Sequence, residues 1–427
     1  MNLPRPLHWL TCLAFLLVSV VTGQAETVTL ASIPERIRTS NPSLIAARLR
    51  IEEARARFQG AGRLANPSLG IELKHDRKFE EGTLTLSLDQ SFPVTARLRL
   101  EKVLSHKAIA AAELEIRDAE RKLIAEAQTA AVKLIYLARQ RELRRQQAEL
   151  SASLAQFATK RAQMGEISAL DAAQAQVDSQ RILLEVNQLE VERVSLTGEL
   201  RMKLGSVSGT LTVGGGLPAP VSSPREISAG ATTSAPKSRA MYGPILRPDY
   251  QKAKLAEQSA RTEVEIAKAK KWEDVTAGVM LEGERSRDEP EGLERNIYMG
   301  FRLSIPLPLW NQNQGEIREK QAAVVRSVLE TKALEVDIAN EALLARNEMA
   351  ANAQLANETQ EKLMPLVIQQ TDRLEQAYKR GEVDMLTVLR SRDQRLALES
   401  AILDATRNYH LARIRYDSAT GKYSGMR

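Results

Sequence analysis

From Val94 to Met164 the chain runs without a single proline or glycine, and Gly315 to Arg380 repeats the feature with one interruption, at Pro365. Ala, Leu, Glu, Lys, Arg and Gln dominate both runs, so each predicts one continuous helix of about 70 residues, roughly 105 Å long. Pro365 predicts a kink in the second. A helix of that length cannot hide inside a globular domain. Each run ends at a glycine, Met164-Gly165-Glu166-Ile167-Ser168 and Arg380-Gly381-Glu382-Val383-Asp384. Beyond each, Ser168 to Leu204 and Asp384 to about Thr420 predict returning helices of roughly 40 residues, about 60 Å. Gly165 and Gly381 suit the left-handed closure of a helix, and Ser168 and Asp384 the cap of the next. Ser168-x-x-Asp171 is a weak form of the reciprocal capping box.

The whole arrangement occurs twice, about 210 residues apart. Asn41-Pro42-Ser43-Leu44 answers to Arg247-Pro248-Asp249-Tyr250, and Ser91-Phe92-Pro93 to Ser304-Ile305-Pro306. Pro42 to Arg63 and Pro248 to Lys271 predict helices of roughly 20 to 25 residues, about 35 Å. A short and a medium helix end to end therefore nearly match one long helix, so each repeat predicts two full-length staves of a cylinder. The helix surfaces carry apolar residues on two sides: Val324, Val328 and Ile338 near one stripe, Val325, Leu329 and Leu343 beside it. A helix touching neighbours on both flanks needs two such seams.

Between the helices, four stretches switch to period two. Leu69, Ile71 and Leu73 alternate with Gly70, Glu72 and Lys74, and Leu84, Leu86 and Leu88 with Thr83, Thr85, Ser87 and Asp89. Val275, Ala277, Val279 and Leu281 alternate with Thr276, Gly278, Met280 and Glu282. Ile297, Met299, Phe301, Leu303 and Ile305 alternate with Tyr298, Gly300, Arg302 and Ser304. Such alternation fits a half-buried antiparallel sheet or a membrane barrel strand with one lipid face and one watery face. Four strands are too few to close a barrel. Three chains would supply twelve, with Glu72, Lys74, Asp89, Glu282 and Arg302 facing the lumen. The connections Lys74 to Gly82 and Glu282 to Arg295 are strongly charged and predict loops in water.

Residues 1–25 predict a secretory signal: Arg5, an apolar stretch from Leu10 to Val21, then Gly23-Gln24-Ala25. That stretch of about 12 residues falls short of the roughly 20 that span a bilayer. The one cysteine, Cys12, stands at its start after Thr11, which does not suit a lipid-anchored N-terminus. Removing the signal takes away Arg5 alone, lowering the formal charge from +6 to +5. The remaining basic residues are mixed with acids along the helices, and aromatics are 4% of the chain, which sets nucleic acid aside. No later segment is a long uninterrupted apolar run, so entry into a membrane has to be as a barrel. His75, His106 and His410 are scattered and no thiolate is left, so neither a zinc site nor another cofactor is expected, and no catalytic set is seen. Residues 26–204 form the first repeat, 205–246 a Gly/Ser/Pro-rich equatorial linker, and 247–427 the second repeat.

The openings at Asn41 and Asn66-Pro67-Ser68-Leu69, the glycine turns, and Ile305-Pro306-Leu307-Pro308-Leu309-Trp310-Asn311-Gln312-Asn313-Gln314-Gly315 resemble the TolC-like outer-membrane efflux factors. The last string most resembles their CzcC-like branch, associated with cobalt, zinc and cadmium export. The resemblance covers nearly all of the chain after the signal. It implies a mainly α homotrimer with a small β part: a twelve-stranded β-barrel in outer-membrane lipid continued by a twelve-helix α-barrel through the periplasm. Its partners would be a periplasmic membrane-fusion adaptor, docked at 164–168 and 380–384, and an inner-membrane RND-type pump. The family turn often reads Val-Gly-Leu-Ser/Thr; here the glycine and the later apolar residue persist around an inserted Glu. Where some relatives carry acidic gate rings, this chain has Thr387 and Arg390, with Asp171 the carboxylate in the first hairpin. Asp171, Asp384 and Arg390 are read either as ion pairs holding the tip shut or as solvated charges. The competing readings are a duct for organic compounds or a secreted protein and, from another class, a periplasmic adaptor.

Overall fold

The computed structural model describes residues 26–77, 80–205, 211–221, 247–288 and 292–422. The expected signal, and most of the expected linker, lie outside them. The chain opens with β1 (Glu26–Val28), α1 (Ile33–Ser40), α2 (Pro42–Gly60), β2 (Ser68–His75), β3 (Gly82–Phe92), α3 (Arg97–Gln163) and α4 (Ala169–Leu204). After β4 (Leu211–Val213) come α5 (Pro248–Ala269), β5 (Val275–Asp288) and β6 (Gly292–Ser304). The chain ends in α6 (Gln314–Glu358), a π-helical turn (Thr359–Leu363), α7 (Met364–Lys379) and α8 (Met385–Ala419).

The expected long helix is α3, of 67 residues. Its counterpart is divided. Met364 N–H reaches back five residues to the Thr359 carbonyl, opening one wide turn just ahead of Pro365. Proline has no N–H to give its preceding turn, and the widened turn absorbs that loss within a helix that otherwise continues.

The helices stand side by side as a palisade. Above mid-height the order is α2, α3, α5, α6; below it, α4, α3, α8 and then α6 leading into α7. The end-to-end stacking of short on medium helix is direct. The Asn41 side chain caps α2 at Leu44 N and also donates from Nδ2 to the Lys203 carbonyl at the end of α4, at 2.6 Å. Gly205, at φ 70°, lies so close that a Cβ would meet the Ser40 carbonyl oxygen at 2.3 Å. The main hydrophobic core sits at this equator: Val28, Ile33, Ile37 and Leu44 pack on Ile124, Ala127, Ala131, Leu200, Leu204 and Leu211. A smaller core joins α6 to α8 through Met349, Ala353, Tyr409 and Ala412.

Three elements depart from expectation. β4 lies inside the stretch read as linker and pairs in parallel with β1, Val213 against Val28, while Leu211 is buried. α1 stands ahead of the expected first helix. The expected charged loop from Glu282 to Arg295 is mostly ladder, since β5 and β6 stay paired out to Asp288 and Gly292. An edge ladder in water needs no alternating pattern when neither face is covered.

Candidate functional site

The four long strands form one antiparallel sheet in the order β2-β3-β5-β6. Its register sorts the side chains into two unlike faces. Fourteen large, exposed apolar residues share one face, among them Leu69, Leu86, Leu281 and Phe301, each 38 to 85% exposed. The other face carries all five residues predicted there. Glu72 bonds Lys74 at 2.8 Å, and Arg302 lies 3.9 Å from Asp89. Glu282 stands in the row Glu72, Thr85, Glu282, Tyr298. Gly278 makes room on that face, because a Cβ there would fall 2.0 Å from Asp89 Oδ1. Both outer strands, β2 and β6, have one edge unpaired in the protomer.

The same openness recurs in the helices. In α4, Ala172, Ser179 and Val186 are buried at seven-residue spacing, whereas Leu170, Val177, Leu184 and Val191 are exposed at the same spacing. In α6, Thr331, Ile338 and Ala345 are buried, and Leu329 and Leu343 are exposed two residues earlier in each heptad, with Val336 between them. A step of two residues is about 160° around a helix, so each exposed stripe lies opposite the buried one. Both flanking staves thus carry the second seam, facing away from the palisade.

The two tips are built alike. Gly165 and Gly381 both have φ 76°. Glu166 N–H reaches the Arg161 carbonyl and Glu382 N–H the Ala377 carbonyl, each at 2.9 Å, while the two glycine amides bond Ala162 and Tyr378. This is the Schellman closure twice over. Met164 and Arg380 end the descending helices, and Ile167 and Val383 follow the inserted acids. Glu166 is clamped to Arg161 at 2.6 Å and Glu382 to Arg380 at 2.8 Å. Ser168 Oγ accepts from Leu170 N at 3.1 Å, the second helical amide rather than the third that a capping box uses. Asp384 takes the Thr387 amide at 3.2 Å and also the Thr387 hydroxyl. Those bonds hold its carboxyl below the usual range, with a contribution from the Arg161 charge of the first hairpin. The tips are therefore electrostatic neighbours. Within the protomer, Asp171 and Arg390 are solvent-exposed and, among the described residues, neither makes an ion pair. The structure does not bring Asp171, Asp384 and Arg390 together in one chain.

Sequence reasoning missed the equatorial joint between α8 and α5. Arg121 of α3 is 2% exposed and donates to Asp118 at 2.7 Å and to the Ser418 hydroxyl and carbonyl at 2.6 and 3.1 Å. Its guanidinium lies 3.8 Å from Asp249. Asp249 is gripped by Arg247, which also bonds Glu341 at 2.6 Å. Burial pushes the Asp249 carboxyl up, but the Arg247 bonds and the Arg121 charge outweigh it and hold it below the usual range. Nearby, His410 Nε2 lies 2.8 Å from the Pro218 carbonyl, and burial lowers its pKa. Asp118-x-x-Arg121 reads as a surface pair in sequence; only its position at a stave break buries it. Among the described residues no helix is long and apolar enough to cross a membrane, and no group of three or more His, Cys, Asp or Glu is placed to hold a metal ion.

Known proteins share this architecture. The model of the outer membrane efflux protein family matches residues 33–205 and 245–422. No curated protein sequence matches. Among solved structures, CusC superposes with a TM-score of 0.70 at 16% identity, over 92% of each chain. VceC of Vibrio cholerae gives 0.67 at 18% identity, over 92% of this chain and 96% of its own. The open-state MtrE channel of Neisseria gonorrhoeae gives 0.66 at 13%, over 92% and 88%. The family's members are passive channels, so the two-faced sheet and the palisade are read as channel wall and no catalytic centre is called for. The chain belongs to the outer membrane efflux protein family.

Proposed function

We propose that three copies of this chain close into a tube that serves as the exit duct of a tripartite efflux pump. A twelve-stranded β-barrel sits in the outer membrane and a twelve-helix α-barrel continues it through the periplasm. The observation that carries this reading is a protomer left open at matching edges in both layers: unpaired β2 and β6 edges above, and opposed apolar seams on α4 and α6 below. Head-to-tail repetition about a three-fold axis covers both at once. The apolar sheet face then meets lipid, and Glu72, Lys74, Asp89, Glu282 and Arg302 line a wet lumen. The glycine-turn tips dock a periplasmic membrane-fusion adaptor. Asp171, Asp384 and Arg390 act between protomers at the narrow end, where Thr387 replaces a carboxylate. An inner-membrane RND-type pump supplies the energy, since a passive duct performs no work.

The cargo assigned is divalent heavy-metal cations such as cobalt, zinc or cadmium, on the strength of the Ile305 to Gly315 string. Deletion of the gene in its host, followed by growth in zinc, cadmium, cobalt, nickel, copper and silver beside dyes and antibiotics, tests this. Sensitivity confined to metals supports it, and sensitivity to organic compounds alone refutes it. Extraction separates duct from adaptor: the duct requires detergent, whereas an adaptor without a lipid anchor leaves the membrane in salt. Crosslinking in isolated membranes should stop at three chains.

A further inference from the structure

The Ile305 to Gly315 string builds a rim where sheet gives way to helix. Pro306 and Pro308 keep it out of helix and strand, Leu309 N–H turns back to the Leu307 carbonyl at 2.9 Å, and Leu307, Leu309 and Trp310 are exposed, Trp310 over 90% of its surface. Asn313, in the left-handed region at φ 59°, ties the rim down by donating to the Ala267 carbonyl and to Glu316, both at 2.8 Å. Trp272, just ahead of β5, is exposed at the same end of the sheet, opposite the charged hairpins. Both described tryptophans therefore occupy one level. An indole at the edge of an apolar band is characteristic of the boundary between acyl chains and head groups.

Between the two indoles lies a cavity of about 720 Å³. Most of its charges are already matched: Lys270 bonds Glu316 at 2.8 Å, and Arg97 bonds Asp274 at 2.6 Å. Lys271 and Glu273 also line it, and among the described residues neither makes an ion pair. The rim thus presents one cation and one anion beside two interfacial indoles.

We propose that this cavity binds the head group of a zwitterionic glycerophospholipid from the periplasmic leaflet. Lys271 donates to the phosphate, Glu273 accepts from the head-group ammonium, and Trp272 and Trp310 rest at the acyl boundary. The proposal rests on the outer-membrane reading above. A head group with both charges satisfies both side chains, whereas a purely anionic one leaves Glu273 facing like charge.

The test is native mass spectrometry of the full-length protein in mild detergent, offered equal amounts of phosphatidylethanolamine and phosphatidylglycerol. The expected result is retention of phosphatidylethanolamine over phosphatidylglycerol by about tenfold, the worth of one charge-assisted hydrogen bond. Glu273→Gln should remove the preference, and Lys271→Gln should lower retention of both lipids about tenfold. Equal retention by the unaltered protein, a preference for phosphatidylglycerol, or indifference to both substitutions overturns the proposal. Conductance of the same sample in a planar bilayer scores the parent reading separately. A conducting protein without lipid preference removes this inference alone, while a protein that comes off membranes in salt and forms no channel removes both.

Discussion

Arg121→Met should loosen the equatorial joint without disturbing the rest of the palisade. The guanidinium makes four hydrogen bonds, two to Asp118 and two to Ser418, at 3% side-chain exposure, so solvent screening offers little relief. The carboxylates are not orphaned by its loss, because Asp118 keeps Lys122 at 2.7 Å and Asp249 keeps Arg247 at 2.6 Å. The Ser418 carbonyl keeps the Gly421 N–H at 3.2 Å, so what remains uncompensated is the Ser418 hydroxyl, at about 1–3 kcal/mol, together with the two lost bonds to Asp118. The total is about 3 kcal/mol, at the low end for a broken buried pair. Since 1.4 kcal/mol is a factor of ten, amide hydrogen exchange at the end of α8 and the start of α5 should quicken about 100-fold. Exchange at the two tips should stay unchanged. Less than about threefold acceleration at the joint, or equal acceleration at joint and tips, would refute the argument. Arg121→Lys should recover only part of the loss, because an ammonium cannot fork between Asp118 and Ser418. The joint should also weaken in acid. The Asp249 carboxyl sits below its ordinary value of 3.8 in the fold, so its stabilisation is present above that value and disappears as pH falls through the lower folded one.

Gly165→Ala and Gly381→Ala should each cost about 1–2 kcal/mol, since a Cβ meets nothing within 4 Å at either tip and only the left-handed backbone resists it. Proteolysis at the tips should report the fraying, and a milder effect from Asn would confirm its backbone origin. Arg390→Ala should raise single-channel conductance in planar bilayers; an unchanged value removes Arg390 from the gate. His410 is held below its ordinary value of 6.5 by burial, so its contribution is intact above that pH and lost as pH falls through the depressed folded value. Acidification should therefore lower the protection of amides in residues 211–221, measured against their intrinsic exchange rate at each pH, and His410→Gln should abolish that loss of protection.

Much of the architecture is legible in the chain because its signals are local and repeated. A run without proline or glycine has little choice but α3, and the proline that opens α2 or α5 marks a first helical turn. Gly165 and Gly381 announce their turns through the one conformation a Cβ resists. Period-two alternation found all four strands of the large sheet, and its polar set is the set that shares one face. The failures are equally physical. β1 and β4 are three residues each, too short to have a period, and their pairing joins residues about 185 positions apart. The outer ends of β5 and β6 carry charges on both faces, so a ladder there looks like a loop. At Pro365 the sequence announces a disturbance, but only the packed helix decides between a sharp bend and one widened π turn.

The kind and length of each major element, and the recurrence that matches short and medium helices to long ones, can be read from the residues alone. Those follow from backbone propensity and spacing, which each segment carries alone. Tertiary structure decided what the breaks between staves are made of. Arg121, Asp249 and His410 look like ordinary surface residues in a helical pattern, and they become buried only where two helix ends meet against a third. It also decided that the second seam of α4 and α6 stays uncovered in one chain, because a palisade of four staves always leaves two flanks for a neighbour to cover.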